Sequence, residues 1–401
     1  MIHSFQCKNF YSFKDTAGVD FTVDKNAPNN NSYALSKSGT RVSLIEAVIG
    51  PNASGKTNLL KVLPTLRWLI IDSWNFNPVA GAVLPVMAFI AQPNQNIPTE
   101  LSVVFDIDEV TYEYEVKLTQ TQILYECLSK RSKSTKRVTK KTLLVREFDD
   151  KTGHYQVDFK GFAAPPGLSK LLRNNATAIS CALRLNHKLS VKIAEYWQNI
   201  DSNVTNFGHI VDQMLGQQAS MGAAVQFYLS NPELRSRAES MLAHFDLGFS
   251  AFDIEQAAGN QVSFSVKHSF GDKKLTLPLD YESSGTKQLL ILLKTILMAL
   301  DKGGSAVVDE FDSRLHPDMV NELVSLFTDP STNPLAAQLL ITTHSHQILS
   351  HLDKYQIILT EKSKSGQTEA WRLDEVKGVR PDDNYYTKYL AGAYGAVPDF
   401  E

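Results

Sequence analysis

Gly50-Pro51-Asn52-Ala53-Ser54-Gly55-Lys56-Thr57 is a complete G-x-x-x-x-G-K-[ST] motif, and its flanks constrain the fold more than any other part of the chain. The preceding residues, Leu44 to Ile49, are apolar apart from one Glu and predict a buried strand. The following residues suit a helix. A strand, a glycine-framed loop and a helix start form the context that a phosphate-cradling loop needs. The loop's N–H groups point inward and the new helix adds its positive end, so the main chain does most of the holding. Asn52, Ala53, Ser54 and Gly55 belong to that cradle. Lys56 is placed to reach the outer phosphates and the Thr57 hydroxyl to bind Mg²⁺. An α/β P-loop NTPase fold is expected.

Three downstream stretches extend the site. Val307-Val308-Asp309-Glu310 is an apolar run ending in two acids, the pattern of a Walker B strand. Asp309 is expected to hold Mg²⁺ and Glu310 to activate the attacking water. Glu282-Ser283-Ser284-Gly285-Thr286-Lys287-Gln288 directly precedes a predicted helix, Gln288 to Leu300. Small residues at a helix start form an anion site; a plain Ser N-cap is the simpler reading. A second such site is useful if Ser283 and Gly285 close on nucleotide bound by another copy. Gln338 to Ser345 is an apolar strand reaching His344, placed to sense the third phosphate or the water. Asp312 to His316 lies between, positioned to pass information across a subunit contact.

The remaining chain frames these motifs. Met1 to Val23 reads as two short strands, and Phe10, Tyr11 or Phe13 is either core or an adenine contact. Lys25 to Thr40 reads as loop. A helix is expected over Lys56 to Ile71, kinked or broken by Pro64. Asn77 to Ala91 is apolar but contains two prolines, which favours buried loop and strand over a membrane span. Leu101 to Asp106, Thr111 to Leu118 and Gln122 to Leu128 predict an antiparallel meander. Seven basic residues crowd Lys130 to Lys141: Lys130, Arg131, Lys133, Lys136, Arg137, Lys140 and Lys141. They read as a hairpin tip, either simply solvated or contacting DNA, RNA or an acidic partner. No aromatic interleaves them, which argues against base stacking. Strand sequence, Leu143 to Phe148 and Gly153 to Lys160, follows. Leu168 to His187, Val191 to Asn199, Phe207 to Leu215 and Asn231 to Phe245 have helical spacing. Gln261 to Phe270 and Lys274 to Leu279 return to strand. The expected division is 1–165 and 261–401 as two parts of one ATPase head, with a mainly helical insertion over 166–260.

Net charge over the 401 residues is −3, so a polyanion could be attracted only by a local patch. Cys7, Cys127 and Cys181 lie too far apart for metal-ligand spacing and read as buried thiols in a reducing, cytoplasmic setting. No basic-then-apolar leader is expected at the N-terminus.

The order of phosphate loop, SSGTKQ, VVDE and TTHS resembles the ABC-type ATPase heads related to SMC, RecF and OLD proteins. More narrowly, it is similar to the RloA and abortive-infection AbiL group, to which the AriA ATPase of PARIS anti-phage systems belongs. The opening FQCKNFYSFKD, the DEFDSRLHP stretch and the ending YLAGAYGAVPDF also resemble that group. The resemblance implies an ABC-type head with an antiparallel β subdomain. It also implies ATP and Mg²⁺ as ligands and a homodimer or larger even-numbered oligomer. A toxin or nuclease partner is implied too, and no membrane. By motif, Lys56 and Thr57, Asp309 and Glu310, Ser283 and Gly285, and His344 take the corresponding roles. Ser284 stands where a second signature glycine is usual, and Thr286 and Lys287 depart from transporters. Gln92 is a weak Q-loop candidate. A repair or recombination ATPase of the RecF type, using the basic patch on DNA, is the rival reading.

Overall fold

The computed structural model describes the chain except residues 77–82, 90–96, 135–136, 205–216, 246–247, 257–261, 271–272 and 399–401. Gln92, Lys136 and the helix expected over Phe207 to Leu215 lie outside the described residues.

Alternating burial along the first strands builds a seven-stranded sheet. In chain order the elements begin with β1 (Ile2–Lys8), β2 (Ala17–Asp20), the short pair β3 (Tyr33–Leu35) and β4 (Arg41–Ser43), and β5 (Ile45–Ile49). Helices α1 (Lys56–Leu60) and α2 (Val62–Ile71) follow the phosphate loop. The break falls at Lys61, three residues before Pro64. Placing proline in the first turn of α2 avoids the clash and lost hydrogen bond of a helix interior. The meander comprises β6 (Thr99–Ile107), β7 (Val110–Leu118), β8 (Ile123–Ser134), β9 (Arg137–Asp149) and β10 (His154–Asp158). It joins β1 and β2 in the order β10-β9-β8-β7-β6-β1-β2.

The stretch expected to be one helical insertion is shared between two cores. Helices α3 (Leu168–Leu171), α4 (Ala178–Leu183) and α5 (Lys188–Gln198) put Leu168, Ile179 and Trp197 into the core under the seven-stranded sheet. β11 (Ile200–Ser202) then joins the other sheet. Helices α6 (Gln217–Ser230) and α7 (Pro232–His244) instead place Tyr228 and Leu242 in the second core. That core also takes Phe252 of β12 (Phe249–Gln256), which pairs with β13 (Val262–Phe270) and β14 (Lys273–Pro278).

Helix α8 (Ser284–Lys302), β15 (Ser305–Val308), α9 (Pro317–Thr328), β16 (Gln338–Thr342), β17 (Ile357–Lys362), β18 (Thr368–Arg372) and α10 (Tyr385–Leu390) complete the chain. The second sheet runs β11-β15-β16-β5-β17-β18 and is parallel except for β18. It lies between the two cores. Along β5, Val48 faces one while Ile45, Ala47 and Ile49 face the other. Continuous apolar strands are what burial on both faces requires. The carboxyl ends of β5, β15, β16 and β17 converge, the edge where open α/β sheets bind ligands.

Among the described residues no helix is long and apolar enough to cross a membrane. Phe10 and Phe13 are fully buried in the first core, the core alternative of the two read from the sequence. The three cysteines are buried and unpaired, and burial pushes the Cys181 thiol up to about 11.

Candidate functional site

The phosphate loop turns sharply because only glycine fits its two framing positions. A Cβ on Gly50 would lie 2.2 Å from the Thr360 carbonyl oxygen. Gly55 has φ +102°, and a Cβ there would meet the hydroxyls of Thr368 and Ser12 at 2.6 and 2.8 Å. Ser54 Oγ reaches Thr360 Oγ1 at 2.7 Å, tying the loop to β17.

Around this loop lies a pocket of about 300 Å³ lined by Asn52 to Asn58, Asp309, Glu310, Thr342, His344 and Lys362. Six loop residues, both acids and the histidine expected from the sequence therefore share one cavity. Lys56 Nζ donates to the carbonyls of Gly50 and Pro51, at 2.8 Å each. Burial lowers its pKa, opposed by the charges of Asp309, Glu310 and Asp312. An incoming phosphate would favour the ammonium in the same way.

Thr57 Oγ1 donates to Asp309 Oδ2 at 2.8 Å, where α1 meets the end of β15. A hydroxyl and a carboxylate are hard oxygen donors suited to Mg²⁺, which usually completes its shell with water and substrate phosphate. Among the described residues no group of three or more His, Cys, Asp or Glu could hold a metal. Any ion here would rest on this pair and the ligand.

Two residues without an assigned role hold the acids. Thr342 Oγ1 donates to Asp309 Oδ1 at 2.5 Å and accepts the Glu310 N–H at 2.8 Å. Asn203 pairs with the Asp309 backbone on both sides, donating to its carbonyl at 2.9 Å and accepting its N–H at 2.8 Å. Glu310 takes φ +51°, a left-handed conformation uncommon for glutamate. Strain of this kind concentrates at functional positions. Lys362, at the end of β17, adds a second cation to the pocket lining. Thr342 lies inside the stretch that pointed to His344, so its position was visible and its partners were not. Asn203 and Lys362 carry no local motif.

His344 lines the pocket, and its backbone N–H donates to Asp312 Oδ1 at 3.1 Å. Ser283 and Gly285 do not line it. Ser283 is the N-cap of α8, its Oγ accepting the Thr286 N–H at 3.1 Å, and it is exposed. A Cβ on Gly285 would lie 3.4 Å from the Arg314 carbonyl, so the start of α8 abuts the loop behind Glu310. Glu282 is held from β13, with His268 Nε2 2.6 Å from its Oε1.

The basic hairpin is formed by β8 and β9, with Lys130 opposite Lys141 and Arg131 opposite Lys140. Glu113 of β7 pairs with Arg131 at 2.8 Å and with Lys140 at 2.9 Å, and Glu115 adds a 3.4 Å contact to Lys140.

A family model described as "AAA domain, putative AbiEii toxin, Type IV TA system" matches residues 45–350, from the first residue of β5 to just past His344. The chain belongs to this family. With the phosphate loop seated on a parallel sheet, membership gives an ATP-binding, ATPase-type P-loop fold. A comparison with curated proteins found no match. Similar solved structures include two Smc head domains. One, from Pyrococcus furiosus, has an extended coiled coil bound to the C-terminal domain of ScpA; it is 12% identical, with 93% of this chain and 97% of that one covered at TM-score 0.46. The other, from Pyrococcus yayanosii, has a coiled coil and joint; it is 11% identical, with 98% and 99% covered at TM-score 0.45.

Proposed function

We propose that the chain hydrolyses ATP, that two copies close head to tail around it, and that this closure switches a toxin or nuclease effector in anti-phage defence. One observation carries the dimer reading. The pocket holds the phosphate loop, both acids and His344, while Ser283 is exposed at the start of a long helix outside it. A signature start directed at solvent can be completed by a nucleotide on another copy. The toxin–antitoxin context in the family description supports the defence role.

In this reading the loop's N–H groups and Lys56 hold the β- and γ-phosphates, and Glu310 takes a proton from the attacking water. Mg²⁺, when bound at Thr57 and Asp309, would neutralise charge on the phosphate oxygens. His344 reports the third phosphate. A ligand that bridges two chains stabilises their dimer, and its cleavage removes that stabilisation.

Glu310→Gln tests the reading by light scattering with and without ATP. The variant should form a dimer only with ATP, and adding Ser283→Arg should abolish the dimer while nucleotide still binds. A Glu310→Gln protein that stays monomeric in ATP would refute the head-to-tail closure. Copurification of neighbouring gene products with Glu310→Gln then identifies the effector.

A further inference from the structure

We infer that β11 is a strut joining the signature helix to the Walker B acid within each subunit, with Asp201 and Asn203 as its positioning residues. This rests on the head-to-tail reading. In such a dimer, α8 of one chain faces the nucleotide of the other, while Asp309 serves its own. Any stiff link between α8 and Asp309 inside one chain is therefore a link between the two ATP sites.

Asp201 and Asn203 make the polar ties of that link. Asp201 Oδ2 accepts Lys294 Nζ at 2.7 Å and Thr295 Oγ1 at 2.6 Å, both from α8. The Asp201 and Lys294 side chains are only 18% and 17% exposed, where a charge-assisted hydrogen bond is strong. Two residues on, Asn203 pairs with both backbone groups of Asp309. Its own N–H donates to the Val307 carbonyl at 3.3 Å. The Asn203 amide therefore continues the β11–β15 ladder past Ser202 and Val307, its last backbone pair. At the other end the Ser305 N–H donates to the Asn199 carbonyl at 3.1 Å. A shift of α8 relative to the sheet pulls on Asp201, and β11 carries the pull to Asp309. An edge strand needed only for packing would not require polar ties at both ends.

The test measures ATP hydrolysis against ATP concentration for the full chain, Asp201→Asn and Asn203→Ala. Asn203 is exposed, so its truncation is the variant less prone to misfold. Two coupled sites give a Hill coefficient approaching about two in the wild type. Each variant should fall to about one with kcat reduced about tenfold, while Mg²⁺-free binding of a fluorescent ADP analogue stays within about twofold. Exchanging the charges, Asp201→Lys with Lys294→Asp, should restore cooperativity. A loss of packing alone would lower melting temperature and kcat and leave the Hill coefficient unchanged. ATP-dependent dimers in Glu310→Gln together with unaltered Hill coefficients in both strut variants would overturn the strut alone. Absence of those dimers would remove the head-to-tail reading and the strut with it.

Discussion

Within the pocket, one hydroxyl does more for the acid pair than its size suggests. Thr342 is fully buried, donates to Asp309 and accepts from the Glu310 amide. Valine has the same shape without the hydroxyl. Thr342→Val would leave an amide and a carboxylate oxygen short of a partner, at about 1–3 kcal/mol for each group that water cannot reach. The left-handed Glu310 backbone would then be less firmly set. We expect kcat to fall about tenfold or more, equivalent to about 1.4 kcal/mol of barrier, with KM for ATP less affected. Steady-state kinetics beside a thermal melt would check it, and an unchanged kcat would show that Phe311 N–H on the Thr342 carbonyl (2.9 Å) suffices to hold the turn.

At the scale of elements, the hairpin is less positive than its composition implies. Burial alone would raise the pKa of Glu113, but hydrogen bonds from Lys140 and Arg131 outweigh it and hold the carboxyl below its usual range. With Arg131 and Lys140 so engaged, any duplex DNA binding should show a log–log salt slope shallower than the roughly −6.3 that seven free cations would give. Glu113→Gln should steepen it, and fluorescence anisotropy across a salt series would measure both. A steeper wild-type slope would revive the repair reading. The same elements explain what could be read in advance. The phosphate loop, the end of β15 with its two acids and the start of α8 are each short unbroken stretches, so each could be read from consecutive residues. Helix α6 lies within the stretch expected to be mainly helical but was not delimited, because Ala, Gly, Ser and Gln surround its apolar residues without a clear stripe. β12 was also missed. The break before Pro64 was legible, since proline forbids a helix interior but suits a first turn. Asn203 was not, because it meets Asp309 across 106 positions of sequence.

For the whole molecule, the parallel sheet that carries the site also carries a buried acid. Glu46 sits in β5 between the cores, opposite Leu340, and is completely buried. Burial, only partly offset by the charge of Arg372, pushes its carboxyl well above the usual range. The folded chain therefore keeps a proton there that the unfolded chain releases near pH 4.5. Between these two values the native state binds more protons, so stability falls as pH rises, by at most about 1.4 kcal/mol per pH unit. Glutamine keeps the shape and removes the titration. Glu46→Gln should match wild type in acid and become progressively more stable than it above about pH 5, by about 2 °C in melting temperature per pH unit. The gap should stop widening and stay constant once pH passes the native pKa. Melts of both proteins from pH 5 to 9 would show this divergence. Parallel curves would mean that Glu46 is ionised in the folded protein, with Arg372 outweighing the cost of burial.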